Sequence, residues 1–182
     1  PAEARLLELL AIALAPRRIV HRLRPVHLTR DRGDLLFDRI VPVVERRVGS
    51  VGELRLRGFV VDNVAKGVPQ VVAKDGARVV GWCDIQPGWP HALRHCGCVG
   101  MGLLPAYRGQ GIGRRLLEAC LGQARQAGIT RVELEARADN EDALRLYSRM
   151  GFAHEGTKRG GMWVDGQYLD TLAMALLLDA PA

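Results

Sequence analysis

The sequence predicts an α/β or α+β fold organised around a sheet, and three observations carry that reading. Runs rich in β-branched residues alternate with amphipathic stretches of helical period, roughly 10 to 15 residues each. Two Asp-Gly pairs, Asp75-Gly76 and Asp165-Gly166, separate such runs, and Asp-Gly supplies the positive φ angles of a tight hairpin turn. A glycine-rich turn, Gly109-Gln110-Gly111-Ile112-Gly113, links an apolar run to the start of an amphipathic helix.

Taken in order, residues 1–15 suit a helix that Pro16 ends, and residues 1–18 read as an extension ahead of a domain spanning 19–182. Ile19 to Leu28 reads as a first strand. Thr29, Arg30 and Asp31 begin a helix expected to reach about Arg47, with Leu35, Leu36, Ile40 and Val43 on one face and Pro42 as a kink. A short helix is expected around Leu54 to Val64. Gln70 to Lys74 and Arg78 to Ile85 form the first hairpin, and Gln86 to Arg94, with Pro87, Gly88 and Pro90, is a loop.

Cys96 to Leu104 is the strand that delivers the glycine turn, and Arg114 to Ala127 is the helix leaving it, stopped by Gly128. Arg131 to Arg137 alternates cleanly, as a strand with one wet face does. Asn140, Glu141 and Asp142 cap a helix to about Met150, with Gly151 as its stop. The strands Phe152 to Val164 and Gln167 to Leu178 close the pattern around Asp165-Gly166.

A chain of 182 residues can bury about 70% of its unfolded surface without disulfides or metal, and 48% apolar with 25% charged residues is ordinary globular composition. The net charge of +6 comes from arginine, since lysine stands only at 66, 74 and 158. Those arginines are scattered rather than set in a basic stripe with aromatics, so an anionic cofactor is expected and nucleic acid is not. Cys83, Cys96, Cys98 and Cys120 sit in apolar stretches with no zinc spacing and read as core residues of a reduced, cytoplasmic protein without metal. No apolar run approaches the ~20 residues of a membrane span.

The glycine turn is where chemistry is expected. Gly109, Gly111 and Gly113 remove Cβ atoms, so successive N–H groups can converge on one anion at a helix N-terminus. A Walker loop would end in Gly-Lys-Ser/Thr, whereas this one ends Gly-Ile-Gly-Arg-Arg. A dinucleotide fingerprint would place a glycine where Arg114 stands.

The remaining pattern, Arg108-x-x-Gly111-x-Gly113, resembles the GNAT superfamily of N-acetyltransferases. The resemblance extends to Pro105-Ala-Tyr-Arg-Gly-Gln-Gly-Ile-Gly, Ala138-Asp-Asn140, Ala143-Leu-Arg-Leu-Tyr147-Ser-Arg-Met-Gly151-Phe152, Glu155-Gly156 and Asp165-Gly166-Gln-Tyr168-Leu-Asp170. It covers about residues 19–178, and the C-terminal part looks most like the amino-acid and phosphinothricin N-acetyltransferases.

This resemblance implies a mixed, mostly antiparallel twisted sheet of about six or seven strands with helices on both faces. It implies acetyl-CoA as cosubstrate, direct acetyl transfer to a primary amine of a small molecule such as an amino acid, and a possible homodimer. Acetylation of a protein N-terminus or lysine, or a CoA-binding module without catalysis, are the alternatives. The pyrophosphate would lie on Arg108, Gly109, Gln110, Gly111, Ile112, Gly113 and Arg114, and the pantetheine along Met101, Leu103 and Leu104.

Asn140 and Tyr147, about two helical turns apart, would face the cofactor, with Tyr147 matching the tyrosine that protonates the departing thiolate. Without the resemblance Tyr147 reads as a core aromatic and Asn140 as a helix cap. Some members of the family use a glutamate on the strand before the glycine loop as base, but Gly97, Cys98, Val99 and Gly100 are not acidic, so His95 and Asp84 are the candidates to take the amine's proton and to bind the amine, His95 being otherwise a loop or edge histidine. An acetyl-enzyme on Cys96 or Cys98 is not needed for direct transfer.

Overall fold

The computed structural model describes the backbone of residues 35–38 together with residues 62–76 and 78–178. The helix expected over 1–15, the extension over 1–18 and the strand expected over 19–28 lie outside them, as does most of the segment 49–67. Seven strands make a mixed, mostly antiparallel sheet: β1 Leu35–Asp38, β2 Gln70–Asp75, β3 Arg78–Pro87, β4 Cys96–Leu103, β5 Arg131–Arg137, β6 Ala153–Val164 and β7 Gln167–Leu177. Two helices longer than one turn are described, α1 Ile112–Gln126 and α2 Glu141–Arg149. Neither is long and apolar enough to cross a membrane.

The chain divides into two compact units, one of residues up to Ile85 with Gly100–Gln123, the other of Gln86–Val99 with Ala124–Ala182. In the first, the strands run in the order β1-β2-β3-β4. Strands β2 and β3 are buried along most of their length, through Val71, Val72, Ala73, Val79, Val80, Trp82, Cys83 and Ile85. Onto them α1 turns Ile112, Leu116, Cys120 and Leu117, Leu121, which fall on one stripe at helical spacing. Each such buried side chain removes apolar surface worth about 1.5–3 kcal/mol.

Gly81 sets how closely the helix lies, because a Cβ there would stand 2.6 Å from Leu103 Cδ1 and 3.0 Å from Leu116 Cδ1. On the opposite face of β4, Gly100 and Gly102 leave room for the indole of Trp82, whose atoms come within 3.0 Å and 2.7 Å of where their Cβ atoms would be.

In the second unit the order is β4-β5-β7-β6. The parallel register of β4 with β5 covers Cys96↔Arg131, Gly97↔Val132 and Cys98↔Glu133. β5 then pairs antiparallel with β7 over its whole length, from Arg131↔Leu177 to Arg137↔Thr171. Its burial alternates as expected, with Val132, Leu134 and Ala136 inside and Glu133 and Glu135 outside. Asp165 (φ 49) and Gly166 (φ 82) both take positive φ, closing the β6–β7 hairpin between Val164 and Gln167.

Four expectations change. Leu35–Asp38 is a strand paired antiparallel with β2, from Leu35↔Asp75 to Asp38↔Val72, not part of a helix. The contiguous run Leu35-Leu36-Phe37 satisfies a short strand as well as a helical face, and the open edge of β2 decides between them. Asp75 belongs to β2 and pairs with Arg78, so it is part of the strand and not of the turn. Helix α1 starts at Ile112, taking Gly113 into its first turn. Cys83 and Cys120 are buried, but Cys96 is half-buried and Cys98 exposed, because strand alternation sets both on the face of β4 opposite that of the buried Gly97.

Candidate active site

The first unit carries the glycine turn expected to hold an anion. After β4, a single 3-10 turn, Pro105–Tyr107, is held by Tyr107 N–H to Leu104 O (2.9 Å) and Arg108 N–H to Pro105 O (3.2 Å). Gly109 (φ 71) and Gly111 (φ 77) then adopt left-handed backbone, which side chains disfavour, and open space surrounds the position of each missing Cβ. The first helical bond into α1 runs from Arg115 N–H to Gly111 O (3.2 Å), which leaves the N–H groups of Ile112, Gly113 and Arg114 ahead of it pointing out of the helix end.

No acidic residue occupies that first turn. The donor set is therefore backbone N–H at a positive helix terminus with no carboxylate in place, and it fits a diphosphate. Gln110 Nε2 bonds back to Ala106 O (2.9 Å), so that residue offers its backbone rather than its side chain.

Strand β4 presents its edge to the same place. Leu104 N–H bonds to Val80 O on β3 (2.9 Å), and strand alternation turns the backbone groups of Met101 and Leu103 to the opposite edge. Of these, the Leu103 carbonyl accepts Arg108 Nε at 3.1 Å, so Leu103 has its N–H left to offer there.

The second unit carries α2. Asn140 caps it, Oδ1 accepting from Ala143 N–H at 3.2 Å, and this is the capping role read for that residue. Tyr147 is 8% exposed and packs against Phe152, with ring centroids 5.9 Å apart. Its placement is that of a tyrosine whose ring is locked by packing.

A family model described as the acetyltransferase (GNAT) family matches residues 53–152, more than half of the chain. The chain belongs to this family. Among its relatives, the N-alpha-acetyltransferase RimI of Mycobacterium tuberculosis is 39% identical over 101 residues, 53% of this chain and 59% of that protein. The chain spans about half the length of the curated relatives it matches.

Among solved structures, a ribosomal-protein-alanine N-acetyltransferase from Brucella melitensis is 27% identical with a TM-score of 0.66, covering 70% of this chain and 80% of that one. A structure assigned as a phosphinothricin N-acetyltransferase is 25% identical with a TM-score of 0.59, covering 65% and 76%.

In this GNAT chain the residues expected to meet the amine are placed differently from each other. Asp84, on β3 opposite Gln70, is 1% exposed, and a Cβ on Gly100 would come within 2.8 Å of its Oδ1. His95 is exposed in the turn before β4, with Nε2 3.4 Å from Cys96 Sγ, and its carbonyl accepts from Thr130 and Arg131. The structure thus gathers Met101, Leu103, Leu104, Asp84 and residues 108–114 in the first unit, and His95, Asn140 and Tyr147 in the second.

Two features were missed in the sequence. Tyr107 Oη donates to Asp75 Oδ2 at 2.7 Å, a bond across 32 residues that no local pattern announces. Glu135, on the outer face of β5, accepts from Lys158 and from Thr171 Oγ1, and the clean alternation of β5 was the signal that it faces outward. Among the described residues no group of three or more His, Cys, Asp or Glu is placed to hold a metal ion.

Proposed function

We propose that this chain moves the acetyl group of acetyl-CoA to a primary α-amine by direct attack, and that the amine is the N-terminus of a polypeptide. The observation that carries the cofactor half is the cradle at Gly109 to Arg114: open positive-φ glycines and an acid-free helix start. The acceptor half is supported by the relatives, one named an N-alpha-acetyltransferase and another a ribosomal-protein-alanine N-acetyltransferase.

When bound, acetyl-CoA supplies an acyl thioester. The N–H groups of Ile112, Gly113 and Arg114 hold its diphosphate, with Arg108 tying the loop back to β4. The backbone of Met101, the N–H of Leu103 and the start of the turn at Leu104 guide the pantetheine as an added strand would. Tyr147 gives its phenolic proton to the departing sulfur; a phenol near pKa ~10 can do so to a thiolate whose acid is near ~8.5 when the ring is fixed in place.

The amine must be neutral to attack, and an α-amine of pKa about 8 needs little help near neutrality. His95, exposed, accepts that proton and exchanges it with water, and Asp84, buried on β3, is the second side chain proposed to meet the amine.

A second reading, a free amino acid or similar small amine as acceptor, is supported by the stretch Glu155 to Asp170 and by the phosphinothricin-type neighbour. Calorimetry with acetyl-CoA, followed by thiol release against peptides beginning with alanine and against free amino acids, separates these. Faster turnover of the peptides supports the first reading, and preference for free amino acids the second. Binding without turnover on any amine would leave a CoA-binding module, and no binding at micromolar concentration would end the assignment.

In the same assay Tyr147→Phe should lower kcat by about a hundredfold while acetyl-CoA affinity is kept. An unchanged kcat would remove the acid role.

A further inference from the structure

Two of the side-chain bonds described within residues 103–110 are local. Arg108 reaches back five residues to Leu103 and Gln110 four residues to Ala106. These two bonds tie the loop to itself and to the end of β4, the strand it leaves. The bond from Tyr107 Oη to Asp75 Oδ2 is different, since it joins the last residue of the 3-10 turn to the end of β2.

Asp75 is itself held in place. It pairs with Arg78 across the hairpin, whose turn begins at Gly76 (φ 55), and the register shift at Ala73/Lys74 fixes where that end of β2 points. From this geometry we infer that Tyr107, braced on Asp75, is a positioning residue for the pyrophosphate loop: it fixes Arg108 to Gly111 against the β2–β3 hairpin before acetyl-CoA arrives.

The inference rests on the cofactor reading above and adds to it a residue outside the donor set of Ile112, Gly113 and Arg114. Its chemistry is consistent. The carboxylate of Asp75 holds the Tyr107 hydroxyl above its ordinary pKa of 10.0, through the hydrogen bond first, so the phenol stays a donor throughout the physiological range.

A braced loop loses less freedom when it closes on a diphosphate. That gain is the same in the ground state and the transition state, because the diphosphate is remote from the reacting carbonyl. It therefore belongs in the affinity for acetyl-CoA and not in kcat.

The test is a double-mutant cycle on the full chain with Tyr107→Phe, Asp75→Ala and the pair, reading Kd for CoA by calorimetry, KM for acetyl-CoA and kcat. Each single variant should weaken CoA binding and raise KM by about three- to tenfold with kcat unchanged. The pair should be no worse than either alone, and Asp75→Asn, which keeps an acceptor oxygen, should recover most of the loss. Unchanged Kd in both singles, or additive losses in the pair, overturns the inference.

If Tyr107→Phe does not fold, the comparison of Asp75→Ala with Asp75→Asn decides alone: weaker CoA binding only in the alanine variant supports the brace, and equal binding in both overturns it. Failure of the wild-type chain to bind CoA would instead overturn the cofactor reading itself.

Discussion

The two helix starts solve the same electrostatic problem in opposite ways. Helix α2 begins at a capping Asn140, carries Glu141 and Asp142 in its first turn, and closes these on Arg145 with contacts of 2.9 Å and 2.6 Å. Its orphan donors and positive terminus are met from within the chain. Helix α1 begins after Gly111, which has no side chain to cap with, and has no acid in its first turn. Under the proposed function its terminus is left to the diphosphate of acetyl-CoA. A helix start that could have been neutralised for stability, and was not, is the clearest mark of function in this fold.

The comparison can be broken by making α1 resemble α2. Aspartate tolerates left-handed backbone better than most residues, so Gly111→Asp should keep the fold near φ 77 while placing a carboxylate on the donors of the cradle. The acetyl-CoA dissociation constant should rise about a hundredfold, through repulsion and the loss of charge-assisted bonds. Gly111→Asn, of the same shape without charge, should lose clearly less, and calorimetry on the two variants separates charge from bulk. Equal losses in both would mean that space and not electrostatics defines the cradle.

The reverse change, stripping α2 of its cap, should act on stability. Asn140→Ala removes the bond to Ala143 N–H and should cost about 1 kcal/mol, a melting temperature about 2–4 °C lower, and Asn140→Ser should restore most of it. If Asn140→Ser restores stability but leaves acetyl-CoA binding weak, Asn140 serves the cofactor as well as the helix.

What could be read in advance follows from how local each cause is. The Asp165-Gly166 turn, the positive-φ glycines at 109 and 111 and the cap at Asn140 depend on neighbours within a few residues, and all three stand where the sequence puts them. The alternation of β5 was equally plain. Leu35–Asp38 was misread because its secondary structure is decided by a partner some 35 residues away in sequence, at the register Leu36↔Lys74 and Phe37↔Ala73. The same holds for the site. The cradle is a contiguous motif, whereas the burial of Asp84, the exposure of Cys98 and the Tyr107–Asp75 brace are tertiary facts, and a periodicity argument has no access to them.

The smallest effect concerns how fully the second unit neutralises its own charge. Arg131 Nη1 and Nη2 both donate to Glu155, at 2.9 Å and 2.5 Å, while its Nε donates to Glu133 at 2.6 Å. These bonds, and the guanidinium charge after them, hold the Glu155 carboxyl below its ordinary value of 4.5. Because the folded pKa is the depressed one, the pair contributes stability above the unfolded pKa and loses it as pH falls through the folded value.

Melting curves of wild type and Glu155→Gln should therefore differ by a constant small amount above about pH 5.5, in the range of exposed ion pairs, and converge as the pH is lowered from about 4.5. A difference that persisted unchanged into the acid range would assign the effect of residue 155 to packing. The ion pairs of the second unit would then no longer stand as the charge-satisfied counterpart of the open start of α1.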